Sequence, residues 1–265
     1  MLRKRIIFTL IYADGYFMQS RNFRLQRVGD LKWLEKNYHF QNIAFSIDEL
    51  IVLDASRGTK SIQKFSTMLS HLVDDIFIPL TAGGGIRSMA DAEILFNNGA
   101  DKILLNTILS QDINLVKELV IKYGSQSIVA SIDYRNLEGI NTVYNMDGTE
   151  KCEMPLTAYI EYLESLNIGE IYLNSIDRDG TGFGFDLDTI SKVSNIVNKP
   201  LIIAGGAGNE KHLQEGLGLK GVSAVATANL FNFIGNGLPN ARKKLIESGE
   251  SLAIWNNEKF NLKII

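Results

Sequence analysis

Pro79-Leu-Thr-Ala-Gly-Gly-Gly-Ile86 recurs 121 positions later as Pro200-Leu-Ile-Ile-Ala-Gly-Gly-Ala207. Each copy is a short apolar run that opens on proline and ends in glycines, the pattern of a buried parallel strand turning into a helix. The echo extends outward. Ile51-Val-Leu-Asp54 returns as Ile171-Tyr-Leu-Asn174, and Ile6-Ile-Phe-Thr-Leu-Ile11 returns as Ile128-Val-Ala-Ser-Ile-Asp133, at nearly the same period. Three matches at one period read as duplication of a four-strand half, residues 1–121 and 122–265, which cannot close alone and forms one domain.

Apolar runs rich in Ile, Val and Leu predict strands at 5–11, 49–54, 77–82, 101–106, 126–133, 169–175, 199–204 and 222–227. Amphipathic patterns lie between them, as in Met89–Phe96 and Leu156–Leu163. Eight evenly spaced strands alternating with helices over 265 residues predict an α/β fold, a single (β/α)8 TIM barrel. The basic start Arg3-Lys4-Arg5 followed by Ile6-Ile7 is faintly like a targeting signal. The apolar run stops at Ala13-Asp14-Gly15, too short for a membrane span, and reads as the first strand. A net charge of −3 argues against a nucleic-acid partner. The single cysteine, Cys152, excludes an intrachain disulfide, fits a cytoplasmic location and reads as structural. His39, His71 and His212 are scattered without ligand spacing, so neither a metal nor a cofactor is expected.

In such a barrel, ligands sit where strands end and helices begin. Gly83-Gly84-Gly85 and Gly205-Gly206-Ala207-Gly208 occupy two such ends, with Asn106-Thr107 and Thr227-Ala228-Asn229 placed to complete each nest. Backbone N–H groups without side chains in the way, at a helix start, bind phosphate. Tight turns alone would also use these glycines, but their symmetric placement points to a ligand with two phosphates. Strand-end carboxylates are the acid/base candidates: Asp133 first, with Asp54 and Asp177 as more ordinary braces. The position matching Asp133 in the first half is Ile11, which carries no proton. At the opposite strand ends stand Arg5, Glu49, Lys102 and Glu170, two positive and two negative, expected to meet across a narrow barrel either as a salt-bridged plug or as something more.

The chain resembles the cyclase subunit family of imidazole glycerol phosphate synthase from end to end. The segments that carry the resemblance are Leu2–Ile7, Pro79–Arg87, Gly99–Lys102 with Asn106-Thr107, Tyr123–Gln126, Ser175-Ile-Asp-Arg-Asp-Gly-Thr181 and Ala204–Gly208. The resemblance implies a barrel that takes ammonia from a glutaminase docked on its N-terminal face and uses it on a bis-phosphorylated substrate. It implies phosphate contacts at Gly84, Gly85, Asn106, Thr107, Asp179, Gly180, Gly205, Gly206, Thr227 and Ala228, and an ammonia gate at Arg5, Glu49, Lys102 and Glu170. It also implies catalysis by two aspartates, of which Asp133 is present while Ile11 stands where its partner belongs. Gln19 stands where a lysine is expected. Asp14 lies three residues past Ile11, out in the loop.

An intact gate and both phosphate grips, beside half an acid/base pair, resemble a divergent branch that supports sugar amidation in surface-polysaccharide biosynthesis. The alternatives are an ordinary histidine-pathway cyclase and a stand-alone phosphosugar-binding barrel. Tyr12, Tyr16 and Phe17 read as loop packing, and the segment Trp255–Phe260 has no assigned role.

Overall fold

The structure, a computed structural model, describes residues 3–38, 45–58, 60–74 and 77–254; His39 and the segment Trp255–Phe260 lie outside them. Eight parallel strands close on themselves: β1 (Arg5–Ala13), β4 (Glu49–Asp54), β5 (Leu80–Gly83), β6 (Lys102–Leu105), β7 (Ile128–Leu137), β10 (Glu170–Ser175), β11 (Leu201–Ala204) and β12 (Val222–Thr227). Each pairs with the next, and β12 returns to β1 through Arg5↔Ala224 and Phe8↔Thr227. This is the (β/α)8 barrel expected from the sequence. The strands at 77–82 and 199–204 begin later than expected, at Leu80 and Leu201. Proline has no N–H to give the ladder, so Pro79 and Pro200 contribute only their carbonyls, to Leu50 N and Ile171 N.

The helices α1 (Leu31–Tyr38), α2 (Ile62–Val73), α3 (Met89–Asn97), α4 (Ile108–Gln111), α5 (Ile113–Tyr123), α6 (Leu156–Glu164), α7 (Leu187–Ser194), α8 (Glu210–Gly218) and α9 (Gly237–Glu247) connect them. Five of these helices start at a side chain that accepts backbone N–H groups: Ser61, Ser88, Asp112, Asp186 and Asn209. Strands buried on both faces make two apolar layers. Ile7, Ile51, Leu104, Val129, Tyr172, Ile202 and Ala224 fill the barrel, and alternate residues such as Ile6, Leu50, Ile103 and Ile171 pack under the helices.

Two antiparallel extensions were not expected. β1 outruns the rim and turns at Asp14-Gly15 (φ 49° and 91°) into β2 (Tyr16–Arg21), which turns at Asn22-Phe23 into β3 (Arg24–Gly29). β7 likewise turns at Glu138-Gly139 into β8 (Ile140–Asn145), followed by the turn Met146-Asp147-Gly148 and β9 (Glu150–Pro155). Asp-Gly is a hairpin turn signal, because a primed turn needs positive φ at both central residues. Each extension leaves the barrel at the same rim, so two hairpins overhang the C-terminal mouth.

One buried charge pair locks the last helix to the first strand. Arg242 of α9, 4% exposed, donates from both terminal nitrogens to Asp48 at 2.8 Å and to the Ala253 carbonyl at 2.7 Å. Asp48 also accepts the Ile6 N–H. Removing one partner of such a pair strands a buried charge, which costs about 3–5 kcal/mol. Arg242→Ala is therefore expected to lower unfolding stability by about that much in urea titration; a loss below 1 kcal/mol contradicts the account.

Candidate active site

Strand periodicity stacks the site in layers, because residues two apart share a face. The lowest inward layer holds the four charges read from the sequence, and they alternate in sign. Arg5 donates to Glu49 at 2.9 Å and to Glu170 at 2.5 and 3.2 Å. Lys102 donates to Glu49 at 3.2 Å and to Glu170 at 2.7 Å. Thr81 gives Glu49 a further bond at 2.7 Å. Burial alone would raise the Glu170 carboxyl, but Arg5 and Lys102 outweigh it and hold it below its usual range.

Two residues up each of those strands stand Ile7, Ile51, Leu104 and Tyr172, an apolar layer whose one polar tip, the Tyr172 hydroxyl, lies 3.4 Å from Thr9 Oγ1. Burial pushes that phenol well above its ordinary value. Two residues further up stand Leu53, Asn106 and Asn174, which with Leu104 and Tyr172 below them line a cavity of about 690 Å³.

Asp133 lines the same cavity, level with its strand partner Asn174. Asn106 donates to its Oδ2 and Asn174 to its Oδ1, both at 3.0 Å. Burial pushes this carboxyl up to about 7; the two amide bonds pull it down, and the charges of Asp179 and Asp147 add to the rise. Ile11 lines the same cavity. Asp14 is exposed at the β1–β2 turn, outside the lining of either cavity, with its N–H on Ser56 Oγ. It does not fill the place of the missing acid.

The two glycine ends fall in different cavities. Gly84, Gly85, Asn106 and Thr107 line the larger one. Gly180, Gly205, Gly206, Thr227 and Ala228 line a neighbouring pocket of about 40 Å³, together with Gln19 and Asp179. Tyr172 and Asn174 form the wall between them. Gly84 has φ 102°, and a Cβ there would lie 2.2 Å from the Asp54 carbonyl, so only glycine fits this close approach. Asp179 Oδ2 accepts Ser20 Oγ at 2.5 Å and Phe23 N at 3.0 Å, bracing the first hairpin beside the smaller pocket. The Gln19 amide accepts the Leu230 N–H at 2.9 Å. Thr107 Oγ1 accepts the Met146 N–H at 3.3 Å.

Other sequence candidates have structural work. Asp54 accepts the Ser56 N–H and Asp177 the Asn136 N–H, both bracing loops. Tyr12 packs on Phe17 and Phe65, and Arg27 covers Tyr16. His212 accepts the Gly208 N–H; among the described residues no three His, Cys, Asp or Glu side chains group as metal ligands. No described helix is long and apolar enough to cross a membrane. Among the lining residues that the sequence reading missed are Phe23, Leu25, Lys60, Met146 and Asp147. Four of these five come from the hairpins, and the Asn22-Phe23 turn carries no glycine to announce it.

Comparison with known proteins bears on the family of the chain. Residues 29–235 match the family model described as histidine biosynthesis protein. A protein of Parasynechococcus marenigrum, provisionally named imidazole glycerol phosphate synthase subunit hisF2, is 48% identical over 256 residues, 96% of this chain and 95% of that one. Imidazole glycerol phosphate synthase subunits HisF of Chlorobium luteolum and Streptococcus mutans are each 34% identical over 94% of this chain and 98% of theirs. With the closed barrel, the matched family model and relatives aligned along almost its whole length, the chain belongs to the family of imidazole glycerol phosphate synthase cyclase subunits.

Proposed function

We propose that this chain is the barrel subunit of a glutamine-dependent amidotransferase assembly, and that it passes ammonia rather than closing an imidazole ring. In this reading a glutaminase docks below the ring of Arg5, Glu49, Lys102 and Glu170, and ammonia enters there. A phosphorylated ligand is held at Gly84, Gly85, Asn106 and Thr107, with Asp179, Gly180, Gly205, Gly206, Thr227 and Ala228 forming the second grip. The ammonia serves sugar amidation in surface-polysaccharide synthesis, in the cytoplasm, and the two halves of the barrel descend from one duplicated unit.

The observation that carries the reading is Ile11 in the lining of the cavity that Asp133 also lines. Ring closure with proton transfer on both sides of the substrate needs two ionisable groups, and a hydrocarbon supplies none. General acid–base groups contribute on the order of 10²- to 10⁴-fold each. A genuine histidine-pathway cyclase is the second reading, favoured by the relatives named HisF.

Turnover of the bis-phosphorylated ribotide with ammonium separates the two. The proposal expects a rate lower by roughly 10²-fold or more than that of a HisF enzyme; a comparable rate overturns it. Ile11→Asp combined with Gln19→Lys is expected to raise that rate. No gain, with phosphate affinity intact, means that more than the proton donor has diverged. A glutaminase should co-purify with the chain, and Glu49→Gln should lower its glutamine turnover.

Asp133 yields a pH test. A carboxyl raised from its ordinary value, near 4, to about 7 binds its proton more tightly in the folded state, so it subtracts stability as pH rises between those values. Asp133→Asn is expected to flatten that part of the stability–pH curve and to be more stable than the parent at pH 8. Unchanged pH dependence in denaturant titrations contradicts this, as does a ¹³C-carboxyl titration midpoint near 4 for Asp133 in the parent.

A further inference from the structure

We propose that Lys60 is the cation of the phosphate end in the larger cavity and that Asp147 occupies it as a resident stand-in, so that a phosphorylated ligand binds by displacing the β8–β9 turn. The inference rests on the reading of Gly84 and Gly85 as a phosphate grip.

Lys60 lies in the loop between β4 and α2, and its side chain is 17% exposed. Its stem packs on Gly85: a Cβ on that glycine would lie 3.1 Å from Lys60 Cδ. Its ammonium donates to the Asp54 carbonyl at 2.8 Å, the same carbonyl that Gly84 crowds. The charge is therefore delivered to the glycine turn by the backbone that shapes it. The other cations of the lining are less committed to that spot. Arg57 is exposed and donates to the Phe23 carbonyl at 2.5 Å, and Arg87 is exposed.

The anion that faces Lys60 is Asp147, at 3.5 Å and 40% exposed, from the turn of the second hairpin. A second tether of that turn also lands on the proposed grip: the Met146 N–H binds Thr107 Oγ1 at 3.3 Å. Both groups that would hold a phosphate are thus occupied by one turn, whose Met146, Asp147 and Gly148 all have positive φ. A part-exposed ion pair of this length is weak. A phosphate carries more charge and three acceptor oxygens for the same ammonium, hydroxyl and backbone donors. Exchange of Asp147 for phosphate therefore favours the ligand and frees the turn.

The test is titration of the full chain with inorganic phosphate, followed through the amide NMR shifts of Gly84 and Gly85, with hydrogen exchange read at residues 145–149. Lys60→Met is expected to weaken binding about tenfold or more, as for a lost hydrogen bond to a charged group, while Lys60→Arg stays within about threefold. Asp147→Asn, which removes the weak competing pair, is expected to tighten binding about two- to fivefold. Exchange at 145–149 should speed up on adding phosphate. Unchanged affinity in Lys60→Met overturns the role of Lys60. Unchanged or weaker binding in Asp147→Asn, or slower exchange with phosphate, overturns the displacement. If the parent chain shows no shift at Gly84 or Gly85 at millimolar phosphate, the reading of that end as a phosphate grip fails first.

Discussion

Two cations and two carboxylates share the barrel floor, and the interior above them is arranged around that fact. Charges taken out of water are tolerated only when paired and hydrogen-bonded, and here each cation touches both carboxylates while each carboxylate touches both cations. The ring has no net charge, so the apolar layer above it faces no uncompensated field. It also fixes register. Arg5, Glu49, Lys102 and Glu170 meet only if β1, β4, β6 and β10 are staggered as they are, and that stagger delivers Asn106 and Asn174 to the same height as Asp133, where each binds one carboxylate oxygen.

The barrel was legible because its physics is local. Strands buried on both faces must be continuous in β-branched and aliphatic residues, and glycine ends must interrupt them; both signals survive in a single sequence. The four floor charges were legible for a related reason, since a charge at the entry of an otherwise apolar strand has few places to go. The hairpins were not. Residues 16–29 and 140–155 are mixed polar and apolar, exposed on one face, and stabilised by contacts far away in sequence: Asn22 on Ile176 and Asp177, Phe23 on Asp179, Met146 on Thr107. Only Asp14-Gly15 and Asp147-Gly148 carried a turn signal strong enough to have been read. Asp179 shows what the strand pattern left out: while lining the smaller pocket, its carboxylate also braces the first hairpin through Ser20 and Phe23.

The environment of Asp133 bears on what chemistry the cavity can support. Two amide donors favour the ionised carboxylate, and burial with nearby Asp147 and Asp179 favours the protonated one, so the group is poised near neutrality instead of being locked in either state. A group so poised can take or give a proton. Ile11 offers no such choice. Substituting an acid at position 11 would therefore do more than add a second proton carrier. A like charge placed in that cavity would push the two titrations apart, as in any close carboxylate pair, and leave one group as acid and the other as base. At the level of Asp133 and Ile11 the cavity presents one carboxyl poised near neutrality and one hydrocarbon, where a cyclisation with proton transfer on both sides would use two groups of opposed roles. For that reason the change at position 11 bears on the chemistry more heavily than its single residue indicates.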